Sequence, residues 1–129
     1  MNKKFSIKNR IKSANHAWRG IGLLIKTSHN SLGLGVVGLL AIYLGFILEI
    51  STTEWMFVVF SIGLVLITET LNSALEVDIN LTSPDYHPYA RDTKDLAAAA
   101  VMLSTILAGI VGLIIFLPKI INMLEYSHV

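Results

Sequence analysis

Four polar side chains interrupt one long apolar stretch of the sequence: Glu69, Asn72, Ser73 and Glu76. The last three follow Glu69 at distances of three, four and seven residues, which places all four on one face of an α-helix. A carboxylate at the centre of a membrane-spanning helix costs about 2.5–3.5 kcal/mol, so an ionisable residue there marks a functional site by default. These four residues, here called the polar stripe, therefore predict the catalytic face of a small integral membrane enzyme.

The two glutamates of the polar stripe differ in predicted depth. With the span centred near Val65, Glu69 lies about 6 Å from the membrane midplane and Glu76 about 16 Å, at a rise of about 1.5 Å per residue. Ion translocation would favour a carboxylate at the midplane. Two glutamates at these different depths, both toward one side of the membrane, instead favour a reaction between a lipid headgroup and a water-soluble cosubstrate.

Three apolar stretches are long enough to cross roughly 30 Å of hydrocarbon, which takes about 20 helical residues. They cover 31–50, 55–75 and 96–120. Of the 129 residues, 53% are hydrophobic and 15% are charged, a composition that excludes an ordinary soluble domain. Cysteine is absent, so no disulfide or cysteine-ligated metal is possible. The predicted fold class is all-α: a single integral membrane domain, 1–129, with three transmembrane helices.

Segment 1–29 carries an amphipathic pattern. Apolar residues recur every three or four positions from Ile7 to Ile25, and basic residues occupy the other sides. This pattern predicts a helix that lies in the headgroup layer, with its basic face toward anionic lipid. The helix could serve as an anchor alone or also as a wall of the active site. A basic surface of this kind needs no nucleic acid partner to explain it.

The distribution of charge predicts the orientation of the spans. Residues 1–48 contain seven basic side chains and no acidic one, whereas the link before the second span carries Glu49 and Glu54. The polar stretch 77–93 is predicted to be a loop between the second and third spans. The positive-inside rule places the N-terminus and this loop in the cytoplasm and the C-terminus outside. The end of the second span that carries Glu76 consequently faces the compartment that holds ATP.

Charged residues at the start of the third span add to this end of the molecule. Lys94 and Asp95 enter from the cytoplasmic side and are expected to converge on the level of Glu76. At the other end, Pro118 is predicted to terminate the third helix near the outer interface.

Catalytic motifs of several other enzyme classes are absent from the sequence. No stretch fits the P-loop pattern G-x-x-x-x-G-K-[ST], the protein-kinase signatures or the nucleophile elbow G-x-S-x-G. The four histidines lack the spacing of a zinc site. The polar stripe and the charges beside it are therefore the candidate chemistry.

Three blocks of sequence carry a resemblance to a known family: 69–76, 85–88 and 94–101. They read ETLNSALE, DYHP and KDLAAAAV. Together they resemble the prokaryotic diacylglycerol kinase and undecaprenol kinase family, and the likeness extends from about residue 13 through the third span. The block Glu-x-x-Asn-Ser-Ala-x-Glu followed by Lys-Asp-x-Ala-Ala is highly specific.

The resemblance implies a homotrimer of three-span protomers in the bacterial cytoplasmic membrane, with active sites between protomers. It implies that ATP and Mg²⁺ are used to phosphorylate a lipid alcohol, either undecaprenol or diacylglycerol. By position, Glu69 would be the general base on the lipid hydroxyl, Glu76 would hold the metal that bridges the phosphates, and Asn72 would order the site. Residues 53–55 and 87–88 look more like the undecaprenol-kinase branch.

Further roles follow from the resemblance by position. Lys94 would contact phosphate, with Asp95 beside it, and both would belong to the catalytic group. The nucleotide would also meet four other residues: His16, Asp85, Tyr86 and His87. The lipid would meet Glu69 and three residues elsewhere: Ala14, Trp18 and Ala98. Simpler interpretations remain open, in which Glu69 and Asn72 only hydrogen-bond across helices and Tyr86 is an interfacial aromatic.

The sequence departs from the family at two positions. Ser28 stands where the family usually has a second metal-binding glutamate, and Asn80 stands where relatives often have aspartate. One carboxylate plus waters can hold a phosphate-bridging Mg²⁺, and Asn30, His29 or Asp78 could supply a replacement oxygen or a supporting contact. Two interpretations therefore remain: a working lipid kinase, and a catalytically lapsed homologue that serves as a membrane interaction subunit.

Overall fold

Four α-helices make up the part of the chain that the computed structural model describes, residues 7–27 and 29–126. In chain order they are α1 (Ile7–Thr27), α2 (His29–Ile47), α3 (Thr52–Thr82) and α4 (Pro88–Tyr126). α2, α3 and α4 are each long and apolar enough to cross a membrane. No strand occurs within the described ranges. The predicted all-α fold, with three membrane-spanning helices after an amphipathic N-terminal helix, is confirmed.

The link between α3 and α4 is much shorter than predicted. The loop expected over 77–93 is wrong, because α3 continues to Thr82 and only 83–87 lie outside the two helices. The backbone N–H of Ser83 closes the last turn of α3 on a carbonyl four residues earlier, at 2.8 Å. Pro88 takes the first position of α4, where a missing N–H costs nothing and the fixed φ favours a helix.

Pro118 does not end the last helix, contrary to the sequence prediction. α4 runs through this residue and continues to Tyr126. Proline removes one backbone hydrogen bond, but neighbouring helices and small local adjustments make that loss tolerable in membrane-spanning helices. The adjacent Lys119 forms an ion pair with Glu54 at 3.3 Å, which ties this end of α4 to the first turn of α3.

A tight turn joins α2 to α3. Glu49 adopts a positive φ of 47°, and the N–H of Ile50 bonds back to the carbonyl of Gly45 at 3.2 Å. This backbone pattern is the Schellman ending of a helix, in which glycine is the usual residue at the left-handed position. α3 then begins with a capping box, because Ser51 and Glu54 each accept a hydrogen bond from the other's backbone N–H.

The apolar core lies at the end of the bundle that carries this turn. Its buried members are Ile50, Val58, Ile115 and Phe116. α3 and α4 form the most extensive helix pair. Most large apolar side chains of α2, α3 and α4 face outward instead, as expected for helices solvated by lipid. The core therefore holds the helices together at one end, and the polar stripe occupies the other.

Candidate active site

The polar stripe runs along one face of α3 from a buried end to an exposed end. α3 is unbroken through all four residues, so they share a face as predicted. Glu69 is only 2% exposed, Asn72 and Ser73 are half-buried, and Glu76 is exposed. The stripe thus connects the interior of the helix bundle with the region of the α3–α4 link.

The buried carboxylate of Glu69 is held by a side chain of another helix. Its Oε2 accepts a hydrogen bond from Nδ2 of Asn30, at 3.2 Å. Asn30 lies in the first turn of α2, and the neighbouring Ser31 donates its hydroxyl to the carbonyl of Leu24 on α1, at 3.0 Å. Three helices therefore meet around this carboxylate. The sequence suggests that Asn30 could supply a replacement oxygen or a supporting contact, and in the structure its amide nitrogen bonds to Glu69.

Asn72 lies between the two glutamates along α3, and its side-chain oxygen has no hydrogen-bond donor among the described residues. Its Nδ2 donates to Oε1 of Glu76 at 3.3 Å. Its Oδ1 is buried and accepts no hydrogen bond from any residue that the structure describes. Leaving a buried acceptor unpaired costs about 1–3 kcal/mol, so such an atom requires a specific explanation. A hydrogen-bond donor or cation that reaches this oxygen would satisfy it.

Lys94, on α4, contacts α3 one turn beyond the polar stripe. Its ammonium group donates to Oδ1 of Asn80 at 2.7 Å. Asn80 follows Glu76 by four residues on α3, so it lies on the same face one turn further along. The expected convergence of Lys94 on the level of Glu76 is thus matched by a contact to α3.

Asp95 turns away from the polar stripe. Its carboxylate is 70% exposed and pairs with Arg91 on the same helix, at 3.6 Å. No hydrogen bond or ion pair joins Asp95 to α3 in the described part of the chain. In the single chain Asp95 therefore does not face Glu76, because adjacent residues of a helix point about 100° apart. Its expected role in the site stays a prediction.

The link between α3 and α4 presents the predicted nucleotide residues to solvent. Asp85, Tyr86 and His87 are all exposed, and Tyr86 is 78% exposed. The ring of His87 lies 5.6 Å from that of Tyr89, with the planes inclined by 37°. This aromatic pair lies at the same end of the bundle as Glu76, where a flat base could pack against it.

The remaining predicted contact residues lie on exposed surfaces. On α1 these are Ala14, His16 and Trp18, and Trp18 is 71% exposed. Ala98 is exposed on α4. The single chain encloses none of these four residues in a site with Glu69. They would line an enclosed site only against a lipid or another copy of the chain.

A hydroxyl pair that sequence reasoning missed fixes α4 beside Glu69. The hydroxyls of Thr68 and Ser104 lie 2.8 Å apart, and Ser104 donates to the carbonyl of Val101 at 2.9 Å. Thr68 likewise lies within hydrogen-bond distance of the carbonyls of Leu64 and Val65 on its own helix, so either hydroxyl can be the donor between α3 and α4. The sequence offers one indication, a hydroxyl residue directly before Glu69 within an apolar span. That Ser104 is the partner of Thr68 is visible only in the packed structure.

Comparison with known proteins identifies the family. The sequence pattern described as prokaryotic diacylglycerol kinase matches residues 15–116. This chain belongs to the prokaryotic diacylglycerol kinase family. Undecaprenol kinase of Bacillus subtilis is 38% identical over 109 residues, which cover 84% of this chain and 89% of that protein. Diacylglycerol kinase of Escherichia coli is 31% identical over 100 residues, which cover 78% of this chain and 82% of that protein.

A third relative extends the match along most of the chain. Diacylglycerol kinase of Synechocystis is 32% identical over 117 residues, which cover 90% of this chain and 67% of that protein. Members of this family are lipid kinases of membranes and use ATP. The matched segment contains the whole polar stripe, together with Lys94 and the α3–α4 link.

The residues of this family member fit a magnesium ion that arrives with a nucleotide. Glu76 offers an exposed carboxylate, and Asn72, one turn earlier on the same face of α3, offers an amide oxygen without a hydrogen-bond donor among the described residues. Mg²⁺ prefers oxygen ligands and binds through one or two carboxylates, phosphates and waters. The described residues include no cluster of three or more acids, histidines or cysteines that could hold a metal by themselves. Ser28, at the family's second metal position, lies outside the described residues.

Proposed function

We propose that this protein transfers the γ-phosphate of ATP to the hydroxyl of a membrane lipid alcohol at the cytoplasmic face of a bacterial membrane. The observation that carries the proposal is the buried carboxylate of Glu69, which accepts a hydrogen bond from Asn30. Glu69 lies on the same face of α3 as Glu76. The two acids lie seven residues, or about 10 Å, apart along α3. Proton abstraction and metal binding can therefore proceed at separate points of one helix.

Glu69 acts as the general base of the transfer. It takes the proton of the lipid hydroxyl while that oxygen forms its bond to the γ-phosphorus and the bond from the γ-phosphorus to the ADP oxygen breaks. The proton then resides on the carboxylate until water or product removes it. Asn30 donates an N–H to Oε2 of Glu69, which fixes the orientation of the carboxylate.

The exposed end of the polar stripe is where the negative charge of the nucleotide phosphates would be neutralised. Phosphoryl transfer is mostly positioning and neutralisation of phosphate charge. Mg²⁺, when bound, would offset the negative charge of the phosphates. Glu76 and Oδ1 of Asn72 would hold that ion, and the ammonium of Lys94 would contact phosphate directly. Asp85, Tyr86 and His87, which are exposed in the α3–α4 link, would contact the nucleotide.

Undecaprenol is the preferred candidate for the lipid alcohol. The Bacillus subtilis relative, which is named an undecaprenol kinase, is 38% identical to this chain. The Escherichia coli relative, which is named a diacylglycerol kinase, is 31% identical. Both lipids present a hydroxyl at the headgroup level, which suits the depth of Glu69.

The proposed assembly is a homotrimer whose N-terminus and α3–α4 link face the cytoplasm. Support comes from the basic N-terminal segment and from the exposure of Ala14, His16, Trp18 and Ala98 in the single chain. A site between protomers would enclose those residues. The alternative of a lapsed homologue is favoured by no contact in the described residues, because Ser28, its main support, lies outside them.

The deciding experiment measures ATP consumption by the purified protein in mixed micelles with Mg²⁺. Undecaprenol, diacylglycerol and no added lipid are compared, and phosphorylated lipid is identified by mass spectrometry. We expect lipid-dependent turnover, highest with undecaprenol, that is abolished in Glu69→Gln. Glu125→Gln, the same chemical change at the exposed far end of α4, is the matched control and should leave turnover unchanged. If a folded, oligomeric protein consumes no ATP and forms no phosphorylated lipid with either lipid, the proposal is overturned.

A further inference from the structure

A single side-chain hydrogen bond joins α3 to α4 at the nucleotide end of the described structure. The Nζ of Lys94 donates to Oδ1 of Asn80 at 2.7 Å. In the described residues, two other side-chain contacts join these helices, Thr68–Ser104 deeper in the bundle and Glu54–Lys119 at its far end. The position of the Lys94 ammonium group is therefore set by the amide of Asn80.

This bond fixes the ammonium group close to the proposed metal position. Asn72, Glu76 and Asn80 follow one another at intervals of four residues on α3. Four residues of helix correspond to about 6 Å along the axis. The ammonium group is thus held about one turn beyond the carboxylate of Glu76, on the same side of the helix.

The partner of Lys94 is neutral, which has an electrostatic consequence. An ammonium group has three N–H donors, and the bond to Asn80 uses one of them. The amide therefore orients the side chain without cancelling its charge. On α4, Arg91 and Asp95 pair with each other and offset one another. Asp92, two residues before Lys94, lies about 200° away around the helix. On α3 the nearby carboxylates are Glu76 and Asp78, and only Glu76 lies on the face of Asn80.

We infer that Asn80 is a positioning residue for nucleotide binding: it presents the Lys94 ammonium to the polyphosphate as a positive charge that forms no ion pair with a described residue. The inference rests on the proposed function only in taking the ligand to be a nucleoside triphosphate. A carboxylate at position 80 would hold Lys94 in a similar place, but as a neutralised ion pair. The identity of residue 80 therefore sets how strongly this end of the protein attracts phosphate.

The test measures binding of a non-hydrolysable ATP analogue, AMP-PCP with Mg²⁺, to the full-length protein in detergent micelles without lipid alcohol. Asn80→Asp should weaken binding about three- to tenfold at low ionic strength, and the loss should shrink at about 0.5 M salt, where charges are screened within a few ångströms. Thr82→Asp is the matched control, because it adds the same charge about 200° around the helix. It should change the dissociation constant less than about twofold, the size expected of a weak, screened surface charge.

Two further variants separate positioning from a merely structural role. In a Lys94→Met background, Asn80→Asp should have little additional effect on binding, since the charge that it cancels is gone. Asn80→Ala should weaken binding and leave its salt dependence close to that of the wild type, because Lys94 keeps its charge but loses its anchor. If Asn80→Asp does not fold, Asn80→Ala and Lys94→Met supply the same comparison.

The outcomes distinguish this inference from the proposed lipid kinase activity. Equal losses in Asn80→Asp and Thr82→Asp, or tight binding by Asn80→Asp at low salt, would overturn the role of Asn80 while lipid phosphorylation by the wild type stands. Salt-dependent AMP-PCP binding that follows the expected order, in a protein that phosphorylates neither lipid, would support the role of Asn80 and refute the proposed substrates.

Discussion

Asn30 and Glu69, 39 residues apart in the chain, meet across 3.2 Å with the amide nitrogen toward the carboxylate. The contact joins the first turn of α2 to the buried part of α3. A buried carboxylate requires hydrogen-bond donors, because its desolvation is otherwise unfavourable. This bond therefore both permits the burial of Glu69 and fixes the direction of the oxygen that would face a lipid hydroxyl.

Asn30→Ala is expected to lower kcat about ten- to hundredfold, since a hydrogen bond to a charged group contributes about 1.5–3 kcal/mol. The KM for ATP should stay near the wild-type value, because Asn30 contacts the base rather than the nucleotide end. Steady-state kinetics with ATP and lipid varied separately measure the two parameters. Asn122→Ala, an identical truncation near the far end of α4, serves as the control. Wild-type kcat in Asn30→Ala would contradict a role for this contact.

Glu76→Gln is expected to raise the Mg²⁺ concentration needed for half-maximal activity by about tenfold or more, because a neutral amide is a weaker ligand for a hard cation than a carboxylate. Titration of activity with Mg²⁺ at saturating ATP measures the shift. Much of the lost rate should return at high Mg²⁺. Glu125→Gln should show the same dependence of activity on Mg²⁺ as the wild type. An unchanged Mg²⁺ dependence in Glu76→Gln would show that Glu76 is not a metal ligand.

Asn72→Leu is expected to abolish turnover while leaving the protein at least as stable as the wild type. The substitution removes a buried acceptor that has no partner among the described residues, and such an atom costs about 1–3 kcal/mol. Activity and the free energy of unfolding in mixed SDS micelles are measured on the same preparation. A large loss of stability would show instead that Asn72 is a structural bridge between helices.

Gly45→Ala is expected to destabilise the protein by about 1–3 kcal/mol, as overpacking of a filled core does. A Cβ at this position would lie 2.7 Å from the ring of Trp55 and 3.1 Å from Ile50. Gly35→Ala in the same helix is the matched control, because a Cβ there meets nothing within 4 Å. Unfolding in mixed SDS micelles should separate the two variants clearly. Equal stability would mean that Trp55 moves aside without cost.

Two element boundaries show where local sequence signals mislead. Polar residues with prolines at positions 84 and 88 indicated a loop over 77–93, yet helix covers all but 83–87 of that stretch. Polarity here marks the end of the hydrocarbon rather than the end of a helix. Pro118 likewise lies within α4, because a membrane leaves the backbone little alternative to helical hydrogen bonding.

The sequence by itself determined the three spans, the polar stripe and the family. Each depends on composition or on a fixed period along one segment, and both are local properties of the chain. The face shared by Glu69 and Glu76 follows from helical geometry alone once α3 is known to be a helix. The family motifs likewise lie within short contiguous blocks.

Only the tertiary structure decided which side chains meet across helices. Lys94 and Asp95 are neighbours in sequence, but Lys94 bonds to α3 and Asp95 pairs with Arg91. The rotation of α4 about its axis makes this choice, and packing of its buried residues Ala97, Val101 and Ser104 sets that rotation. Asn30 reaches Glu69 for the same reason, since the contact exists only where two separate helices are packed side by side. Such contacts depend on the relative position of whole helices, which no local pattern encodes.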